Sequence, residues 1–212
     1  MGNRGLRVNN SLGTKYEIKN LNNLSIDDQI KNLRDQDVQQ AYIYDSKGNL
    51  VQGYNGGDLG VYVAQKALDV EGGTLVYSHV AGGRADAFGG TFSPSAVKIF
   101  ANSKLDRMVL SAQEGTYEFK AGPNANREAF SKAITRLNNL YKSGVSKKSG
   151  KEYKGIYERV YASAYNKAIK RYPGNSDRAS RVARAQATNV YDREWKKFAA
   201  KYGFTYTVTR GK

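Results

Sequence analysis

The chain of 212 residues predicts an α+β protein. Three observations predict it. Short apolar segments of strand-like composition, separated by turn residues, fill much of residues 38–122. From Asn124 the apolar spacing changes to three and four residues, the period of helices. The apolar content of 40% suits a globular chain that buries one sizeable core.

Residues 1–23, rich in Asn and Gly, predict an extended N-terminal arm suited to docking on a partner. Ser25-Ile26-Asp27-Asp28 is a capping box preceded by Leu24 as a staple, and Ile26, Ile30 and Leu33 are spaced for a short amphipathic helix. Ala41–Tyr44, the turn Asp45-Ser46-Lys47-Gly48-Asn49 and Leu50-Val51 read as a β-hairpin, with Tyr54–Gly57 as a further turn. Val61–Leu68 leans to helix, and Thr74–His79 is a strand. Ser93 with Pro94 opens a helix running to about Ser103. Met108–Ala112 and Thr116–Phe119 are strands around Glu114-Gly115.

Phe130, Ala133, Ile134, Leu137 and Leu140 then form one helical stripe. A basic linker over residues 143–150 follows, then a helix from about Glu152 to Tyr172. Pro173-Gly174-Asn175 breaks it, Asn175 or Ser176 caps a third helix, and Gly203 ends that helix before a short strand, Phe204–Val208.

The formal net charge is +15 and is unevenly spread. Residues 1–142 hold 17 Lys+Arg against 14 Asp+Glu (+3), and residues 143–212 hold 17 against 5 (+12). Such a concentration attracts polyanions: nucleic acid, acidic lipid or an acidic protein. No run of apolar residues is long enough for a membrane helix, and Met1–Gly5 lacks the apolar core of a secretory signal. Without cysteine there is no disulfide.

The order of strand, Asp-x-x-Gly-Asn turn and strand, then Thr74-Leu75-Val76-x-x-His79, a Gly-rich loop, Phe92-Ser93-Pro94 and helix, is similar to the JAB/MPN-type metalloprotease fold. More narrowly it resembles the version found in bacteriophage head-morphogenesis (minor head) proteins, over roughly residues 38–120. Trp195 and Ala199–Tyr206 are also similar to the end of those proteins. The resemblance implies a JAB/MPN-like mixed sheet with flanking helices over 24–122, followed by a basic helical region over 123–212. It also implies a degenerate metal site. The family's two histidines fall on Tyr77 and His79, its aspartate on Ala96, and its glutamate base near Gln39 or Gln40. An amide does not titrate, and one imidazole does not make a zinc site.

No metal ligand set and no cofactor is therefore expected. No catalytic residue is assigned; His79 is a candidate by type only. The loop from Ala81 to Gly90, with Arg84 and Asp86, could cradle a phosphate but lacks a P-loop ending. Tyr153, Tyr157, Tyr161 and Tyr165 recur every fourth residue, the spacing of one helix face. Arg178, Arg181 and Arg184 are three apart on the next helix and can present guanidinium forks to phosphates or carboxylates. With Lys147, Lys148, Lys151, Lys170, Arg171, Tyr153 and Tyr157 they are the candidate nucleic-acid or partner-binding residues.

The resulting expectation is a non-enzymatic phage virion or head-assembly protein, a pseudoenzyme fold binding DNA or phage structural proteins. It would reside in the virion or the host cytoplasm, without a membrane segment, and could form homo-oligomers. The alternatives are a metal-dependent or His-based hydrolase and a phage-encoded inhibitor of a host protein.

Overall fold

The structure, a computed structural model, describes residues 5–8, 15–34, 36–57, 60–80, 91–141, 144–145, 152–153 and 155–210, with backbone alone for 136–141, 144–145 and 152–153. The protein is α+β. Along the chain its elements are β1 (Gly5–Val8), α1 (Ile26–Leu33), β2 (Gln40–Tyr44), β3 (Leu50–Gly57), β4 (Gly60–Val63), a 3-10 turn (Gln65–Asp69), β5 (Thr74–Ser78), α2 (Pro94–Ala101), β6 (Arg107–Ala112), β7 (Gly115–Ala121), α3 (Arg127–Tyr141), β8 (Gly144–Val145), β9 (Glu152–Tyr153), α4 (Ile156–Arg171), α5 (Ser176–Lys201) and β10 (Phe204–Arg210). Eight strands form one mixed sheet in the order β1-β4-β3-β2-β5-β6-β7-β10, and β8 and β9 form a separate ribbon. The β1–β4 and β5–β6 pairs are parallel.

Local chemistry fixes many element ends. The Asp45 carboxylate accepts the backbone N–H of Lys47 and of Asn49, closing the β2–β3 turn with Gly48 at φ +83°. Ser25 accepts the Asp28 N–H and caps α1; Ser93 does the same for Ala96 in α2, and Asn175 for Arg178 in α5. Gly203, at φ +79°, ends α5 and turns the chain into β10.

Both faces of the sheet are covered, so its central strands bury alternate residues in different cores. On one face, Ile30 and Leu33 of α1 pack on Tyr42, Tyr44, Val76 and Val109. The opposite face carries the larger core, where Leu75, Tyr77, Leu110 and Phe119 meet Phe100, Phe130, Tyr191 and Trp195. This core runs across the chain from Leu6 to Tyr206. Trp195 stands edge-on to Phe119 at 5.4 Å, Phe130 stacks on Phe204 at 4.3 Å, and the Trp195 indole N–H donates to the Phe92 carbonyl at 3.3 Å. β10 pairs antiparallel with β7, Phe204 opposite Ala121 and Arg210 opposite Gly115.

Four sequence expectations change. Gly5–Val8, expected in an extended arm, is an edge strand parallel to β4, so this part of the segment docks on the chain's own sheet. Val61–Leu68, which leans to helix by spacing, is split between β4 and the 3-10 turn because Val61 and Val63 are buried sheet residues. Tyr54–Gly57 is the end of β3 rather than a turn; a Cβ on Gly56 would lie 2.4 Å from the Gly60 carbonyl oxygen and 2.8 Å from that of Gln39. Its glycine serves a close strand approach. Finally, Glu152-Tyr153 pairs with Gly144-Val145 and Gly155 caps α4, so that helix starts at Ile156 and Tyr153 is not on it.

The α4–α5 hairpin is held by small residues. Ala164 and Ala168 of α4 and Ala179, Ala183 and Ala187 of α5 are buried. Alanine every fourth residue makes a flat stripe, and small side chains at such a contact let two helix axes come close.

Candidate functional site

Two places are candidates by sequence: the end of β5 and the helices after residue 143. At the end of β5, the His79 N–H donates to the Ser111 carbonyl at 3.1 Å and continues the β5–β6 ladder. His79 is 3% exposed, its ring lies edge-on to Tyr77 at 5.6 Å, and Nδ1 has no hydrogen-bond partner. Burial pushes its pKa down to about 4, so the imidazole is neutral near pH 7. Tyr77 is fully buried, its hydroxyl finds no hydrogen-bond partner, and burial pushes its pKa well up. Phe92 packs 6.0 Å from the Tyr77 ring. Ser93 acts as the α2 cap, and Ala96 is buried. Gln39 is buried, with its carbonyl accepting the Gly56 N–H.

Thus the fold joins Tyr77 and His79 in one place, but as an aromatic packing site. With no partner at Nδ1, the imidazole has no orienting acid among the described residues. Among the described residues, no group of three His, Cys, Asp or Glu is placed to hold a metal ion. The loop from Ala81 to Gly90, with Arg84 and Asp86, lies outside the described residues.

The second place has a different character. Lys170 and Arg171 close α4, and Arg178 and Arg181 lie in the first two turns of α5; all four are exposed. Between them sits half-buried Tyr172. The Arg178 guanidinium lies 4.1 Å from its ring centroid, and that of Arg171 lies 5.6 Å away. These contacts orient two planar cations at the turn while leaving them open to solvent. Arg184, a further turn along, is half-buried. Lys147, Lys148 and Lys151 lie outside the described residues.

The tyrosine row is shorter than its spacing suggests. Tyr157, Tyr161 and Tyr165 are half-buried and stack on one another, with centroids 6.4 and 6.0 Å apart. Tyr157 also stands edge-on to buried Tyr191 at 6.1 Å, which ties this end of the row to the core. Tyr161 is only half-buried; the buried residues of α4 are Ala164 and Ala168. The ladder therefore runs outward from the core edge along α4.

Sequence reasoning missed Tyr172 as the organiser of the hairpin end, although its place between Arg171 and Pro173 was visible. It also missed a polar network that is buried at Thr91, Tyr117, Asp192 and Tyr206 and exposed at Asn189 and Arg210. Tyr206 donates to Asp192 at 2.6 Å and pairs with Thr91 at 2.8 Å; Arg210 donates to Asp192, Asn189 and the Tyr117 hydroxyl at 2.7, 2.8 and 2.6 Å. Burial raises the Asp192 pKa, opposed by the hydrogen bonds and the Arg210 charge. No local spacing announces a network that spans residues 91 to 210.

Neither family models nor curated proteins nor solved structures give a match to this chain.

Proposed function

We propose that the chain is a non-enzymatic bacteriophage virion or head-assembly protein that holds DNA, or another polyanionic head component, on the end of the α4–α5 hairpin. The phage setting comes from the sequence resemblance, in which a JAB/MPN-like sheet serves as scaffold and the basic helical region as contact surface. The observation that carries the binding role is the set of exposed cations, Lys170, Arg171, Arg178 and Arg181, gathered around Tyr172. Exposed guanidinium groups held in place by a ring lose little freedom on meeting phosphates, and each neutralised phosphate releases condensed counterions. The non-enzymatic reading is supported by the packing of His79 and Tyr77 and by the alanine at position 96.

Duplex DNA titrated with the protein at several salt concentrations tests this. Log affinity should fall linearly with log salt, with a slope of about −0.9 for each phosphate neutralised. Failure to bind DNA even at low salt, or binding that does not respond to salt, would contradict the DNA reading.

A further inference from the structure

At one edge of the sheet, β10 pairs with β7 on one side and, among the described residues, with no strand on the other. The Gly203 carbonyl accepts the Gly122 N–H at 2.9 Å, which sets the alternation of this antiparallel ladder. By that alternation Thr205, Thr207 and Thr209 turn their backbone groups to β7, and Tyr206, Val208 and Arg210 turn theirs away. Edge strands are usually shielded by proline, a bulge or an edge Lys. β10 has none of these: its sequence is Phe-Thr-Tyr-Thr-Val-Thr-Arg, its register is unbroken, and its three threonines are exposed.

Beside this strand opens a cavity of about 640 Å³, lined by Val208 and Arg210 of β10, Val190, Asp192 and Arg193 of α5 and Val160 of α4. Val208 and Arg210 alternate in step with buried Phe204 and Tyr206, so the cavity lies on the helix-covered face of the sheet, at the β10 edge. Three valines give it an apolar wall. Asp192 is held by Tyr206 and Arg210, and Arg210 also by Tyr117 and Asn189. Arg193 is exposed, and none of the ion pairs among the described residues includes it.

We propose that the free edge of β10 captures an extended acidic segment of another protein by strand addition, with an apolar side chain in the valine-lined cavity and a carboxylate at Arg193. Backbone hydrogen bonds supply affinity in such a mode, and side-chain pockets supply selectivity. The acidic chemistry follows from Arg193 beside the cavity, which has no ion pair among the described residues, and from the net charge of +15. A second copy would set two identical arginines and two strongly positive chains together. This surface is separate from the hairpin end, and the inference does not rest on the proposed function.

The test uses the full chain and two fluorescein-labelled peptides, one alternating Val and Glu, the other Val and Lys. The Val-Glu peptide should bind at least about tenfold more tightly, and Arg193→Glu should weaken Val-Glu binding about tenfold. Val208→Pro removes an N–H that faces away from β7, a substitution edge strands tolerate. It should weaken Val-Glu binding about tenfold or more while the melting temperature stays within a few degrees. Absence of binding, equal binding of the two peptides, or full binding by a folded Val208→Pro variant would overturn the inference. If that variant does not fold, Arg193→Glu decides alone, and undiminished Val-Glu affinity sinks the proposal. Displacement of the peptide by duplex DNA would assign it to the hairpin cations instead. A dimer in sedimentation equilibrium that Val208→Pro dissolves would give the edge to a second copy. Either result counts against the acidic partner.

Discussion

The two halves of α5 share one four-residue repeat and put it to different uses. In the first half the repeat buries Ala179, Ala183 and Ala187; in the second it buries Tyr191, Trp195 and Ala199, with Thr188 and Asp192 buried beside it. The alanines lie on a helix that packs along α4, whose own buried residues are Ala164 and Ala168. The aromatics meet Phe119, Phe198 and Tyr157. An alanine buries little apolar area, whereas a buried aromatic removes roughly 150–250 Å² from water. Stability is therefore concentrated in the second half. The first half owes its position to close helix approach, and its outer side is free to carry Arg178 and Arg181. One helix thus separates anchoring from contact along its length.

The strongest way to break this comparison is at Trp195. It is 0% exposed and its indole also donates to Phe92. Trp195→Ala should cost roughly 3–5 kcal/mol, as buried aromatic truncations do, lowering the melting temperature by about 10 °C or more. A loss below about 1 kcal/mol in denaturant melts would show that the second half is not the anchor.

The sheet side should also carry a pH response through His79. Its folded pKa of about 4 lies below the ordinary 6.5. Between these values the unfolded chain binds the extra proton, so the contribution is present above pH 6.5 and lost as pH falls toward 4. At about 1.4 kcal/mol per pKa unit, the window is worth about 3 kcal/mol. Chemical denaturation of wild type and His79→Gln at pH 7 and pH 4.5 measures it. The variant should lose less stability over that interval; identical losses would place the histidine in a wetter site.

Between the helices the expected effect is smaller and of the opposite kind. Ala183 is 0% exposed in the α4–α5 contact. Ala183→Leu should overfill it and cost about 1–3 kcal/mol in thermal or urea unfolding. A neutral or stabilising leucine would mean that the two helices are not in close approach.

Much of this arrangement was legible in the sequence because it is written in local chemistry. The Asp45 turn, the caps at Ser25, Ser93 and Asn175, and Gly203 after α5 each act within a few residues, and each is found where its pattern placed it. What was not legible depends on distant partners. β1 is a strand because β4 lies beside it, and nothing within Gly5–Val8 says so. Gly56 reads as a turn residue until the carbonyls of Gly60 and Gln39 are seen against it. Tyr153 continues a perfect four-residue row, but pairing between β8 and β9 takes it out of the helix. At the site, the exposed Arg178 and Arg181 followed from spacing and charge, whereas the Tyr172 contacts and the Asp192–Tyr206–Arg210 network required the fold.

The smallest effect on stability should accompany the largest effect on binding, and this tests the central claim most directly. Arg178 and Arg181 are exposed on the contact half of α5, so Arg178→Gln with Arg181→Gln should leave stability within about 0.5 kcal/mol of wild type. In the same preparation, the log–log salt slope for duplex DNA should become less steep by about 2, because two phosphate contacts are lost. An unchanged slope, or a loss of stability comparable to that of Trp195→Ala, would contradict the division of α5 into an anchoring half and a binding half.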